Sequence, residues 1–152
     1  MLLSNEKLYF YYISLSTEFI SFSEYKNHLN DLFLADDSQN ETLLELESST
    51  ESTKKTINIL NDYLFDKIAL IDFQMVGEML IEELRKQYDD NADSLKDLTH
   101  KLYGIWILLP SKISAEEPFI KLNSIDDSWS WGDKEQVVKN VNWLFNYYNL
   151  IP

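Results

Sequence analysis

Two histidines, His28 and His100, are the scarcest groups in this chain with metal-binding or acid–base chemistry. Glu24 lies four residues before His28, and Asp97 lies three before His100. On helices, each carboxylate would share a face with its imidazole. Helical di-iron proteins need two Glu-x-x-His units plus two further inward glutamates. Neither pair has that form, because one is Asp-x-x-His and the other has the wrong spacing. A surface or half-buried histidine held by a neighbouring acid accounts for both. There is no cysteine, which removes disulfides, thiolate metal sites and cysteine nucleophiles and fits a reducing compartment. No Gly-rich phosphate loop and no G-x-S-x-G elbow occur. Acid pairs recur at Glu82–Glu83, Asp89–Asp90, Glu116–Glu117 and Asp126–Asp127. Adjacent residues on a helix do not face one another, so these pairs read as solvated faces or turns rather than acid–base couples. A calcium loop needs alternating oxygen ligands, a central Gly and a closing Glu, and 126–135 does not supply them. The expectation is a protein without catalytic residues, metal or cofactor.

The aromatic residues are more pointed. Trp129, Trp131 and Trp143 crowd the last quarter of the chain with Phe145, Tyr147 and Tyr148. In DDSWSWGD, 126–133, two tryptophans alternate with serine behind an acid pair. Each indole has two readings here. It can plug a loop into the core, or it can stand exposed as a partner's anchor, since Trp and Tyr dominate binding hot spots.

The elements that must position these groups are helical. Three Gly and three Pro in 152 residues are too few for the turns of a mainly β protein. Ser4 can cap a first helix through Leu8, Tyr11, Tyr12 and Leu15. Ser21 and Glu24 form a capping box opening a helix with Tyr25, Leu29, Leu32 and Phe33 inside. Asn40 can cap a short helix with Leu43, Leu44 and Leu46, and a turn at 47–53 leads to a helix with Ile57, Leu60, Tyr63 and Leu64. Asp72 can open a helix with Val76, Leu80, Leu84 and Tyr88 on one stripe. After a polar turn at 88–93, Leu95, Leu98, Leu102, Ile105 and Leu109 mark another helix, stopped by Pro110. Residues 111–132, with Pro118, Gly132 and five serines, read as a long connection with one short strand near 119–122. Asp133 and Gln136 then cap a last helix with Val137, Val141, Leu144, Phe145 and Tyr148. The expected fold is all-α, a single compact helical domain over 1–152 with about six or seven helices.

Charge gives the clearest functional bound. The chain carries net charge −13 with an isoelectric point near 4.4. Hydrophobic residues make up 45% of it and aromatics 14%, so it can bury a core, unlike acidic disordered chains. From Asn27 to Thr53 there is no Lys or Arg, but seven acids: Asp31, Asp36, Asp37, Glu41, Glu45, Glu47 and Glu51. Such a surface repels phosphates and steers basic partners. The start, MLLSNEKLYFYYISL, lacks the layout of a secretory signal. The longest apolar run, LYGIWILLP at 102–110, is about half of a membrane span.

The segment SFSEYKNHLNDLFLADDSQNETLLELE, 21–47, resembles bacterial immunity proteins of contact-dependent growth inhibition and other polymorphic toxin systems. In both, a serine-capped amphipathic helix runs into an acidic turn and a Leu/Glu helix. The aromatic ending NWLFNYY is similar too. The resemblance covers about a third of the chain and brings no conserved site residues with it. It implies a cytoplasmic protein that binds a cognate toxin domain, often a basic nuclease, and blocks its active site. Charge and aromatic placement then nominate Asp36, Asp37, Glu41, Glu45, Asp126, Asp127, Trp129 and Trp131 as toxin-binding residues. A phage-type inhibitor or nucleic-acid mimic, a helical adaptor and a di-metal enzyme are the competing readings. Neither nucleic acid nor membrane is an expected partner.

Overall fold

The structure is a computed structural model and describes residues 4–35, 41–88 and 91–148. Among these residues it is all-α: nine α-helices and one short 3-10 turn, with no strand. The chain divides into two compact units, Met1–Asp72 and Phe73–Pro152.

In the first unit, α1 (Asn5–Ser16) packs against α2 (Phe22–Ala35) and α4 (Thr53–Leu64), while α3 (Glu41–Ser48) lies against α2 and α4. A 3-10 turn, Ile68–Leu70, follows α4. Ser4 caps α1 by accepting the Lys7 N–H at 3.1 Å, and Ser21 accepts the Glu24 N–H at 3.1 Å. These bonds satisfy donors that the first helical turn otherwise leaves orphaned. The Asn40 cap lies outside the described residues. The serine-rich turn between α3 and α4 is held internally. Ser49 and Thr56 hydroxyls meet at 3.0 Å, and Ser52 caps α4 by accepting the Lys55 N–H.

α1 is buried almost all round, with Leu8, Tyr9, Phe10, Tyr11, Ile13, Ser14 and Leu15 all inside, as befits a helix surrounded by others. Tyr11 meets Tyr25 of α2 edge-to-face at 5.2 Å. Among the described residues the Tyr11, Ser14 and Tyr25 hydroxyls find no hydrogen-bond partner. A buried aromatic ring removes about 150–250 Å² from water, worth roughly 4–6 kcal/mol at ~25 cal/mol per Å². That outweighs the roughly 1–3 kcal/mol of an unpaired hydroxyl. Burial, with Asp31 adding to it at Tyr11, pushes both phenols well above their ordinary range.

α1 ends in a left-handed turn at Glu18, φ 59°. The Phe19 N–H bonds back to the Ser14 carbonyl at 2.8 Å and the Glu18 N–H to Leu15 at 3.3 Å, the paired closure usually built on glycine. A side chain in that conformation costs roughly 1–2 kcal/mol, against roughly 0.5–1 kcal/mol of extra backbone entropy for glycine. Glu18→Gly should therefore stabilise the protein, by about 0.5–1 kcal/mol, in urea unfolding. A variant less stable than the parent would show that Glu18 makes up its strain elsewhere.

In the second unit, α5 (Phe73–Gln87) packs on α9 (Lys134–Tyr147), which packs on α8 (Ile120–Ser130), which packs on α6 (Ala92–Leu108). A single turn, α7 (Ser111–Ser114), follows Pro110. The stripes Val76–Leu80–Leu84 and Leu95–Leu98–Leu102–Ile105–Leu109 are buried as their spacing requires. Gly77 lies where α5 meets Tyr148 and Phe119, and a Cβ there would run into the Tyr148 Oη. Tyr148 donates that hydroxyl to the Gln74 carbonyl at 2.8 Å.

Residues 111–132 correct the sequence reading. The expected strand near 119–122 is helix: Phe119 precedes α8, and Ile120, Lys121 and Leu122 begin it. Pro118, joined to Glu117 by a cis bond, and Gly132 bracket this helix rather than break it. Two of its serines turn back on the helix backbone, Ser124 Oγ donating to the Ile120 carbonyl and Ser128 Oγ to the Ser124 carbonyl at 2.9 Å.

Candidate functional site

The nominated residues fall in both units, and each group is described within its own. Asp36 and Asp37 lie outside the described residues. In the first unit, Glu41 and Glu45 are one turn apart on α3, and both are exposed. Asp31 on α2 and Glu51 beyond α3 are exposed as well, while Glu47 is half-buried. Two leucines stand exposed beside these acids. Leu34, one turn after Asp31, is 73% exposed, and Leu44, between Glu41 and Glu45, is 41% exposed. Of the leucines that the sequence reading places together in this short helix, Leu46 is buried and Leu44 is exposed. Leu34 is not singled out by the sequence at all. Helical spacing from Asp31 would have put it on the acidic face.

In the second unit, DDSWSW is not a loop but the last turn and a half of α8. Trp129 is half-buried. Trp131, the C-cap residue, is 87% exposed. The corner that holds it is tightly bonded. The Trp131 N–H reaches the Asp127 carbonyl at 3.1 Å, Gly132 reaches Trp129 at 2.9 Å and Asp133 reaches Ser128 at 2.9 Å. Gly132 has φ 75°, the left-handed conformation that closes a helix this way. Asp133 then opens α9 by accepting the Gln136 N–H on its carboxylate at 3.1 Å. The expected cap at Asp133 and Gln136 is thus present, and the same residue also closes α8.

Asp127 is exposed one turn before Trp131, and Asp126 beside it is half-buried. Burial pushes the Asp126 carboxyl above its ordinary range, Asp127 pushes it the same way, and His100 of α6 opposes them. No protein-family model matches this chain, nor does any curated protein or solved structure.

The two histidine pairs lead elsewhere. His28 is half-buried with its ring centroid 6.2 Å from Tyr11. Asp97 pairs not with His100 but with Lys101, at 3.0 Å. Among the described residues no three His, Asp or Glu side chains gather as metal ligands, and no helix is long and apolar enough to cross a membrane. A shallow groove along the first two turns of α9 is lined by Lys134, Glu135, Val138 and Lys139. Val138 and the lysine stems give it an apolar floor beneath charged tips.

Several other aromatics are engaged. Trp106 donates its Nε1–H to the Ser114 carbonyl at 2.9 Å. Trp143 meets Tyr147 in a tilted pair, ring centroids 5.2 Å apart, and lies under the Lys121 ammonium at 5.0 Å. Arg85 covers Phe145, Lys67 covers Tyr63 and Lys26 covers Phe22. Among the described residues the Trp131 ring has neither an aromatic neighbour nor a cation.

Proposed function

We propose that this protein is a non-catalytic inhibitor, an immunity protein that captures a basic toxin domain, a nuclease by preference, and occludes its active site. One observation carries the reading: α2 and α3 expose Asp31, Glu41 and Glu45 together with Leu34 and Leu44, in a stretch with no Lys or Arg from Asn27 to Thr53. A nuclease active site must grip phosphates and is therefore rich in Lys and Arg. Acids at the surface draw such a site in from a distance, and apolar side chains among them give the contact an area that water must leave. The first unit holds thirteen Asp and Glu against five Lys, the second thirteen against eight Lys and Arg, so the acidic excess is largest where those leucines stand. The reading places the protein in the cytoplasm, between the toxin and the nucleic acid it would attack.

The test is genetic and then physical. Products of the open reading frames flanking this gene are expressed in a host, alone and with this protein. One of them should arrest growth alone and be harmless with its partner, and the two should co-elute as a complex. If no flanking product is toxic, or if the toxic one is neutralised without a complex, the inhibitor reading fails.

A further inference from the structure

We propose that Trp131 and Asp127 form a recognition site for an arginine side chain on a protein partner. The proposal rests on the reading of this chain as a binder of basic proteins, but on a different unit and different residues. Trp131 and Asp127 are four apart in continuous helical geometry, since the Trp131 N–H bonds to the Asp127 carbonyl. That spacing puts their Cβ atoms about 6 Å apart on one face. A guanidinium laid on the indole would thus have a carboxylate within reach of its edge.

Three features favour a cation there. Indole is the best aromatic partner for one, and this indole is 87% exposed. The last turn of α8 contains no basic residue, although the carbonyl end of a helix carries about half a negative charge. The carboxylate of Asp127 adds to it, while Asp126 beside it is pushed above its ordinary range by burial first and by Asp127 second. Lys134, the nearest base in sequence, begins the next helix and makes no ring contact with Trp131. The positive end of that helix is already answered by the Asp133 carboxylate and by Glu135 in its first turn. Elsewhere in the chain, rings at Phe22, Tyr63, Phe145 and Trp143 are covered by the chain's own cations. Trp131 offers the same face, with acids beside it, to a cation from outside.

Arginine fits better than lysine. Its planar, weakly hydrated guanidinium stacks on the ring while its N–H edge donates to a carboxylate. The ammonium of lysine is compact and holds its water.

The test uses the whole protein and two probes of equal charge, hexa-arginine and hexa-lysine, each titrated at ~0.15 M salt while the indole N–H resonances are followed. General attraction to an acidic protein acts on both peptides alike, so the preference is the readout. The parent should bind hexa-arginine roughly three- to fivefold tighter than hexa-lysine, with the Trp131 resonance moving most. Trp131→Leu should abolish the preference and leave hexa-lysine binding unchanged, and Asp127→Asn should reduce it. Because Trp131 is so exposed, the Leu variant should keep its circular dichroism and melting temperature. Equal affinity for the two peptides, or a preference that survives Trp131→Leu, overturns the proposal. If a toxin is neutralised while the two peptides bind alike, this site falls and the inhibitor reading stands. If the arginine preference holds and no toxin is found, the reverse is true.

Discussion

Gly77→Ala is expected to destabilise the second unit by about 1–3 kcal/mol, the usual effect of forcing a methyl group into a filled core. For a chain of this size each kcal/mol lowers the melting temperature by roughly 2–4 °C. The new Cβ would meet the Tyr148 hydroxyl and the Phe119 ring together, and Phe119 is itself buried. The hydroxyl cannot simply swing away, because it holds the Gln74 carbonyl. Tyr148→Phe alone should lose about 1 kcal/mol with that bond. In the Gly77→Ala background the same change should cost less or restore stability, because it removes the atom in the way. A double-mutant cycle by thermal unfolding reads the coupling. Strict additivity would show that Tyr148 is not what confines Gly77.

Reversing charge at Glu41 and Glu45, both to Lys, is expected to slow association with a captured basic toxin about tenfold at low salt. Dissociation should change much less. The parent should associate more slowly as salt rises, since exposed charges are screened beyond ~8 Å at physiological ionic strength. The reversed variant should lose most of that dependence. Surface binding at two ionic strengths separates the two rates. Association that ignores both salt and these acids would refute electrostatic capture. Asp36 and Asp37, nominated by the same run of acids, belong in the same series.

Much of the fold could be read from apolar spacing. Val76–Leu80–Leu84 and the stripe from Leu95 to Leu109 are buried, because a helix with one apolar face has only one way to hide it. Caps at Ser4, Ser21 and Asp133 were equally legible, since a short polar side chain before an apolar run has few other uses. The helix at 120–130 was hidden by its composition. Serine and aspartate are poor helix formers because they compete for backbone groups. Here Ser124 and Ser128 satisfy their hydroxyls on carbonyls within the helix. Phe119, Leu122, Ile125 and Trp129 carry the helical spacing that outweighs the serines, and the two breakers sit at its ends. Which tryptophan faces solvent depends on that helix. In an extended strand, Trp129 and Trp131 would have shared a side. On α8 and its cap they diverge by two residues of helical rotation, so one is half-buried and the other stands out.

The corner at Gly132 and Asp133 leaves the exposed indole with little freedom to surrender. Its backbone is pinned from both sides, by the closing bonds of α8 and the opening bond of α9, so only two side-chain torsions remain to be fixed when a partner arrives. A cation-seeking group on a mobile loop would forfeit backbone entropy at roughly 1–2 kcal/mol per residue on the same event. Pre-organisation of this kind shows up in residence time rather than in speed of encounter. On the two proposals made above, long-range attraction and short-range retention would fall to separate helices, α2 and α3 for the first and the end of α8 for the second.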